Sequence, residues 1–166
     1  TTVEQIAASA AKNHDHGSLN PNAQYQVPMS VEQVLADKPV VGPLTRAMCA
    51  PIGDGAAAAL LCSERMLSEL PAALRERAIR VTGVGQSSGR LRTLREGSSV
   101  HAAALRAYAM AGLRAEEIDV VELHDATSFA ELTLSESLGF CAKGQGGPYV
   151  ASGAASLGGR RPANTS

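Results

Sequence analysis

The segment Leu123–Ser128 carries the side chains best suited to chemistry, because a histidine and an aspartate lie together there. Imidazole titrates near neutral pH, so His124 can donate a hydrogen bond to a carbonyl oxygen or act as a base. Asp125, Thr127 or the serine after it can cap a helix that starts near Phe129. The free N–H groups of such a helix end suit a developing negative charge. The segment is therefore a candidate site for reactions at a carbonyl group.

A purely structural interpretation of these residues stays open. His124 can be a hydrogen-bonded histidine at the end of a strand, and Asp125 can serve only as a helix cap. Single residues at such positions are weak evidence for a site. The residues alone therefore leave both interpretations standing.

Alternating strands and helices surround this segment. Asp119–Leu123 predicts a buried strand, and open α/β sheets bind ligands at the carboxyl ends of their strands. Ile79–Val84 and the apolar run at residues 55–62 predict two further strands. Helices are predicted at Ser63–Leu70, Ala72–Glu76, Ser99–Ala111 and Ser128–Leu138, the last two ended by Gly112 and Gly139. This order predicts an α/β layered domain with at least partly parallel strands.

The N-terminal stretch and the glycine-rich stretch near the end lack this regularity. Residues 11–43 are polar and broken by proline and glycine around one weak helical pattern, Val31–Ala36. Residues 144–159 predict a loop. We therefore expect residues 11–43 to form an excursion from the core.

Two other groups of residues resemble reactive sites. His14, Asp15 and His16 are possible metal ligands, but no further ligand follows at a suitable spacing, which favours a surface loop. Cys49 precedes a loop and is the best placed cysteine for a nucleophile, although structural thiols are commoner. We predict no metal site.

Glycine and arginine patterns suggest a nucleotide or a coenzyme only weakly. Gly83, Gly85 and Gly89 follow a predicted strand, but their spacing differs from that of a dinucleotide-binding loop. The stretch from Arg75 to Arg95 is basic, as a surface that binds coenzyme phosphates would be. A solvated face is the simpler interpretation of such a stretch.

Composition excludes several classes of protein. The 166 residues carry a net charge of −1 and are 45% hydrophobic, which gives no basic surface for nucleic acid. No apolar run reaches the roughly 20 residues that span a bilayer. Three cysteines without a disulfide or metal spacing indicate a reducing compartment, so we expect a cytoplasmic protein.

Four segments of the chain form an ordered set of motifs: Asp54–Ala58, Ala107–Leu113, Ile118–Asp125 and Gly158–Ser166. In this order they resemble motifs of the thiolase superfamily, in particular of sterol-carrier-protein-2 thiolases and related bacterial thiolase-like acetyl-CoA acetyltransferases. Residues 13–24 also resemble that family's loop domain, so the resemblance covers nearly the whole chain.

The resemblance implies a fold and two domains. A thiolase consists of two βαβαβαββ halves in an αβαβα layered body, and this chain corresponds to the second half, incomplete at its C-terminal end. Residues 1–50 correspond to a loop segment that covers coenzyme A, and residues 51–166 to the core domain. The family's nucleophilic cysteine, Gly-His-Pro histidine and late cysteine would lie before Thr1 or after Ser166.

The resemblance also implies roles for individual residues. His124 begins a His-Asp motif that contributes to the oxyanion hole for a thioester or enolate oxygen. Asp125, Thr127, Phe129 and Ala50 are candidates for contact with substrate or coenzyme A. Thr127 stands where the family often has an aromatic residue, and Ala50 where many thiolases have a serine. Coenzyme A thioesters are the implied substrates, with no covalently bound cofactor.

Three functions follow from this resemblance. The first is thiolase acyl transfer on acyl-CoA or β-ketoacyl-CoA, with this segment alone inactive. The second is a carbon–carbon lyase of retro-aldol type that acts on branched or steroid side-chain acyl-CoA. The third is a non-catalytic acyl-CoA-binding or scaffold protein. A homodimer or larger oligomer, with a possible partner subunit, is expected because an isolated half would expose an apolar face.

Overall fold

The computed structural model describes residues 1–89, 91, 93 and 96–165 and separates into two units. The first unit contains residues 1–50 and 83–166, and the second contains residues 51–82. The basic stretch is described only in part, since Arg90, Arg92 and Arg95 lie outside the described residues. The segment that carries His124 belongs to the first unit.

The first unit begins with α1, Val3–Leu19. A capping box starts this helix: Thr2 Oγ1 accepts from the N–H of Gln5 at 3.3 Å, and Gln5 Oε1 accepts from the N–H of Thr2 at 2.9 Å. The helix ends at Leu19, and Asn20 is its C-cap, directly before a proline that cannot continue the helix.

The polar stretch that begins at Ala11 was expected to lie outside the core, and for α1 this expectation is wrong. Ala11, Lys12 and His16 are buried, because α1 lies at the centre of the first unit and packs against later helices. The core residues of this unit are Ile6, Ala7, Ala10, Ala11, Val34, Met48, Leu132, Val150, Ala155 and Ala163.

A short helix and a hairpin follow α1. The predicted helix α2, Val31–Ala36, is confirmed, and an antiparallel pair joins β1, Pro39–Val41, to β2, Leu44–Thr45. Thr45 Oγ1 donates to the carbonyl of Val34 at 2.7 Å and so fixes the hairpin to α2. A 3₁₀ turn at Arg46–Met48 then brings Met48 into the core.

The helix α5, Ser99–Ala111, has the predicted bounds and the predicted glycine stop. Ser98 Oγ accepts from the N–H of His101 at 3.1 Å, and Gly112 takes a left-handed φ of 68°. Gly85 lies against the backbone of α5, where a Cβ atom would overlap the carbonyl oxygen of Ala103. Close packing on a helix therefore accounts for the glycine at this position without a nucleotide.

The predicted strand Asp119–Leu123 is not formed, and only Val121 takes part in a bridge. One parallel bridge pairs Val121 with Ala163: the N–H of Val121 donates to Pro162 O at 3.0 Å. Asn164, at a left-handed φ of 54°, adds two bonds, since its N–H donates to Val121 O at 2.9 Å and its Oδ1 accepts from the N–H of Leu123 at 2.7 Å. This short contact is too small to count as a strand, but it is parallel, as predicted.

Two helices complete the first unit. The predicted helix after the candidate site is confirmed as α6, Ser128–Ser137, and Gly139 follows it with a φ of 80°. The expected loop at residues 144–159 contains α7, Gly146–Ala151. The loop prediction is wrong for these residues because Gly146 and Gly147 let α7 approach neighbouring helices closely, which hydrophobic periodicity does not report.

We expect Gly146→Ala to lower the free energy of unfolding by about 1–3 kcal/mol, because the added Cβ would overlap the carbonyl oxygen of Leu132. Chemical denaturation measures this change. Gly55→Ala is the control, since nothing lies within 4 Å of a Cβ there. Equal stability of the two variants would contradict the close packing of α7 on α6.

The second unit, residues 51–82, contains the two predicted helices, α3, Glu64–Glu69, and α4, Ala72–Glu76. Ser63 caps α3 by accepting from the N–H of Met66 at 3.3 Å. The predicted strands at residues 55–62 and 79–84 are absent. A strand needs a neighbour for its backbone hydrogen bonds, and residues 55–62 have none within this unit.

No described helix is both long enough and apolar enough to cross a membrane.

Candidate functional site

His124 and Asp125 point to opposite sides of the segment that joins Val121 to α6. Exposure alternates along it: Val121, Leu123, Asp125 and Thr127 are partly buried, whereas the residues between them, including His124, are exposed. This alternation indicates extended chain, in which neighbouring side chains point to opposite faces. His124 is thus available to a bound molecule, and Asp125 faces the interior.

Asp125 belongs to a polar cluster that joins α1 to α6. We call it the Glu131 cluster, and its members are Ser9, Lys12, Asn13, Asp125 and Glu131. Glu131 is fully buried, and its Oε2 accepts from Ser9 Oγ at 2.7 Å and from Asn13 Nδ2 at 3.1 Å. The same Asn13 nitrogen donates to Asp125 Oδ2 at 3.3 Å. One amide group therefore contacts both carboxylates.

Lys12 supplies the positive charge of the Glu131 cluster. Its Nζ lies 3.0 Å from Glu131 Oε1, and the side chains are 5% and 0% exposed. This contact is an ion pair without the angles of a hydrogen bond. Lys12 Nζ also donates to Asn13 Oδ1 and to the carbonyl of Ala163, each at 2.7 Å. The ammonium group is therefore well satisfied although it is buried.

The Asp125 carboxyl group holds its proton more strongly than an ordinary aspartate. Burial and then the nearby charge of Glu131 raise its pKa from 3.8 to about 6, while Lys12 and the Asn13 amide act in the opposite direction. Near neutral pH a small change in surroundings can therefore change the charge of this group.

We expect Asp125→Asn to stabilise the protein above about pH 6 and to leave it nearly unchanged near about pH 4. The folded pKa of about 6 lies above the ordinary 3.8, so ionised Asp125 disfavours the folded state. This penalty is absent below the ordinary pKa, grows as pH rises to the folded pKa, and is constant above it. Thermal unfolding of both proteins across this pH range measures it. Equal Tm differences at both ends would contradict the raised pKa.

The N-terminus of α6 lies directly after this segment and is uncapped. Thr127 occupies the N-cap position, but its side chain makes no capping hydrogen bond, so the expected cap by Asp125, Thr127 or Ser128 is not formed. Within the described part of the chain, the N–H of Phe129 has no acceptor, and the Ser128 hydroxyl is buried without a partner. Phe129 is 44% exposed. No side chain caps this end of α6, so the N–H of Phe129 can donate a hydrogen bond to a bound oxygen.

The structure brings Ala50 to the same place. The N–H of Ala50 donates to the carbonyl of Ala126 at 3.0 Å, and Cys49 forms an antiparallel bridge with Thr127. The Cys49 thiol is half-buried and lies 3.5 Å from the carbonyl of Thr45, with no hydrogen bond to a histidine among the described residues. The five candidate residues from the sequence, His124, Asp125, Thr127, Phe129 and Ala50, are thus close neighbours.

The other candidates lie elsewhere. His16 is buried: its Nδ1 lies 2.8 Å from the carbonyl of Asn164, and its Nε2 accepts from the N–H of Leu157 at 3.1 Å, so the proton is on Nδ1. His14 stacks on Tyr25 with a centroid distance of 6.2 Å. Among the described residues no three side chains form a group that could hold a metal ion. A cavity of about 220 Å³ beside Lys12 and His16 does not include His124.

The sequence did not point to Glu131 or to its partners on α1. A signal for them exists, because Ser9, Lys12, Asn13 and His16 follow the i, i+3, i+4, i+7 spacing of one helix face. A polar face of this kind is ordinarily exposed, and only the position of Glu131, more than a hundred residues later, makes it an inner face.

Comparisons with known proteins indicate the family to which the chain belongs. Residues 86–166 match the family described as Thiolase C-terminal domain-like. Benzoylsuccinyl-CoA thiolase subunit BbsB of Thauera aromatica is 36% identical, over 96% of this chain and 42% of that protein. Sterol carrier protein 2 of Oryctolagus cuniculus is 35% identical, over 100% of this chain and 31% of that protein. Acetyl-CoA acetyltransferase of Methanothermobacter thermautotrophicus is 37% identical, over 100% of this chain and 44% of that protein.

The chain therefore spans less than half the length of these curated relatives. Among solved structures, the Ltp2-ChsH2(DUF35) aldolase matches with a TM-score of 0.77 and 25% sequence identity, over 99% of this chain and 45% of that one. The predicted thiolase-like α/β fold is thus confirmed, although little of it is strand here. By its family match, its relatives and its fold, the chain belongs to the thiolase superfamily.

Proposed function

We propose that this chain supplies the oxyanion-binding half of a thiolase-like site that acts on acyl-CoA thioesters. The observation that carries the proposal is the exposed His124 next to the uncapped N-terminus of α6. An imidazole donor and the free N–H of Phe129 together suit the negative charge that develops on a thioester or enolate oxygen. Thiolases among its relatives support this substrate class.

Acyl transfer on β-ketoacyl-CoA is the leading reaction within this proposal. In thiolysis, the sulfur of free coenzyme A ends on the carbonyl carbon at the β position, and the bond between the α and β carbons breaks. The electron pair of that bond passes to the α carbon as an enolate, which then takes a proton. His124 would donate a hydrogen bond to the enolate oxygen. The nucleophilic cysteine would come from residues outside this sequence.

Retro-aldol cleavage is the second candidate, favoured by the likeness to a structure named an aldolase. There a β-hydroxyacyl-CoA loses the proton of its hydroxyl group, and the bond between the α and β carbons breaks to a carbonyl compound and the enolate of a shorter acyl-CoA. This reaction needs the same oxyanion site and no nucleophilic cysteine.

A partner surface is part of the proposal. Leu60 and Ile79 are almost entirely exposed, and apolar side chains of this kind are usually covered in an assembled protein. We infer that the rest of a thiolase-type body, a second copy or a partner subunit covers them. The relative named a thiolase subunit and the DUF35 component named in the solved aldolase support such an assembly.

The test uses the full polypeptide, purified with any subunits that accompany it. One assay supplies β-ketoacyl-CoA with free coenzyme A, and another supplies β-hydroxyacyl-CoA alone. Loss of the free thiol with formation of two thioesters indicates thiolysis, whereas release of a carbonyl compound without thiol consumption indicates the lyase. Binding of coenzyme A without either product would reject both and leave the non-catalytic role.

A further inference from the structure

The Glu131 cluster lies directly behind His124, on the inner side of the same extended segment. Asp125 is its member nearest to His124 in the chain, and Asn13 of α1 holds Asp125 from 112 residues away. The amide nitrogen of Asn13 uses its two hydrogens on the two carboxylates, at 3.3 Å to Asp125 and 3.1 Å to Glu131. A single side chain therefore fixes Asp125 to the core.

We propose that Asn13 and Glu131 are positioning residues that fix the outward direction of His124 by holding Asp125 inside the molecule. Neighbouring side chains of an extended segment point to opposite faces, so the direction of Asp125 determines that of His124. The role assigned to His124 rests on the proposed function.

The orientation of the Asn13 amide supports this inference. Its Oδ1 accepts from Lys12 Nζ at 2.7 Å, and an ammonium group can only donate. The NH₂ side must then face the carboxylates, which as anions only accept. Lys12 and Ser9 in turn hold the buried Glu131. The second carboxylate that the Asn13 amide contacts is therefore also fixed.

The polar and charged groups around Asp125 predict that two substitutions shift its pKa in opposite directions. Glu131 on α6 opposes ionisation of Asp125, whereas Lys12 and Asn13 on α1 favour it. Glu131→Gln should therefore lower the titration midpoint of Asp125, by about one pH unit. Asn13→Ala should raise the midpoint. A variant that merely loosened the fold would move Asp125 toward the ordinary aspartate value, which is downward.

The experiment is solution NMR on the full polypeptide with its subunits, labelled with ¹³C in aspartate and histidine. Asp125→Asn assigns the Asp125 signal. We expect a midpoint near 6 in the unmodified protein, a lower one in Glu131→Gln and a higher one in Asn13→Ala. Asp15→Asn, which removes an exposed carboxylate of α1, is the matched control and should change nothing.

The ring signals of His124 give the second readout. They should be sharp in the unmodified protein and in Asp15→Asn, and shifted and broadened in Asn13→Ala. Unchanged His124 signals in Asn13→Ala, or a lowered Asp125 midpoint in that variant, would overturn the inference. If Glu131→Gln does not fold, Asn13→Ala decides alone, because it removes no charge.

Turnover separates this inference from the proposed function. Asn13→Ala should lower kcat about 10-fold with little change in KM, and should add nothing to the loss in His124→Ala. An independent loss in the double variant would show that Asn13 does not act through His124. Absence of turnover in the unmodified protein would reject the proposed function, while the two NMR readouts would still decide the positioning role.

Discussion

Lys12→Met is expected to lower the free energy of unfolding by about 3–5 kcal/mol, the largest effect on stability that we predict. The substitution keeps the length of the side chain but leaves the fully buried Glu131 without its positive partner. It also removes the donors to Asn13 Oδ1 and to the carbonyl of Ala163. Urea unfolding near neutral pH measures the change.

Two further variants test the reason for this loss. Arg114→Met removes the cation of an ion pair in which Arg114 is 78% exposed, and it should leave the unfolding midpoint unchanged. The double variant Lys12→Met, Glu131→Leu should recover much of the stability, because the fully buried carboxylate is removed together with its positive partner. A double variant less stable than Lys12→Met would contradict the account, since the cost would then not come from the unpaired carboxylate.

His124→Ala should lower kcat by about 10²–10³-fold under the proposed function, because one donor to a developing oxyanion typically contributes this much. KM for the acyl-CoA should change little, since the interaction is stronger in the transition state than in the bound substrate. Steady-state kinetics with the substrate that the unmodified protein turns over gives both values.

His124→Asn gives a graded control for this prediction. An amide keeps a hydrogen-bond donor, so this variant should retain more activity than His124→Ala. His14→Ala, on a histidine that stacks on Tyr25, should keep normal turnover. If His124→Ala and His14→Ala had equal turnover, His124 would not bind the oxyanion.

The helix α5 shows what the sequence predicts well. Its start at Ser98, its small apolar stripe and its stop at Gly112 are all local signals, and both ends agree with the structure. By contrast, α1 escaped prediction because its inner face changes from Ile6 and Ala10 to Lys12 and His16 halfway along. Hydrophobic periodicity ends there although the helix continues.

Strands depend on partners that no local pattern reports. The apolar run at residues 55–62 is typical of a buried strand, yet those residues are exposed and unpaired within their unit. In the candidate site, too, local patterns predict some residues, and others depend on distant partners. His124 was predictable from its residue type and place at the end of a strand pattern, whereas Glu131 acquires its meaning from Ser9 and Asn13, over 100 residues away.

The contact between His16 of α1 and Asn164 can form only late in the synthesis of the chain. During synthesis α1 leaves the ribosome long before its partner Asn164, which follows His16 by 148 residues, on the order of ten seconds of translation. Until then the part of the inner face of α1 around His16 lacks this partner. Lys12 and His16 interrupt the apolar residues of that face, and we expect them to protect the waiting helix from association with other nascent chains.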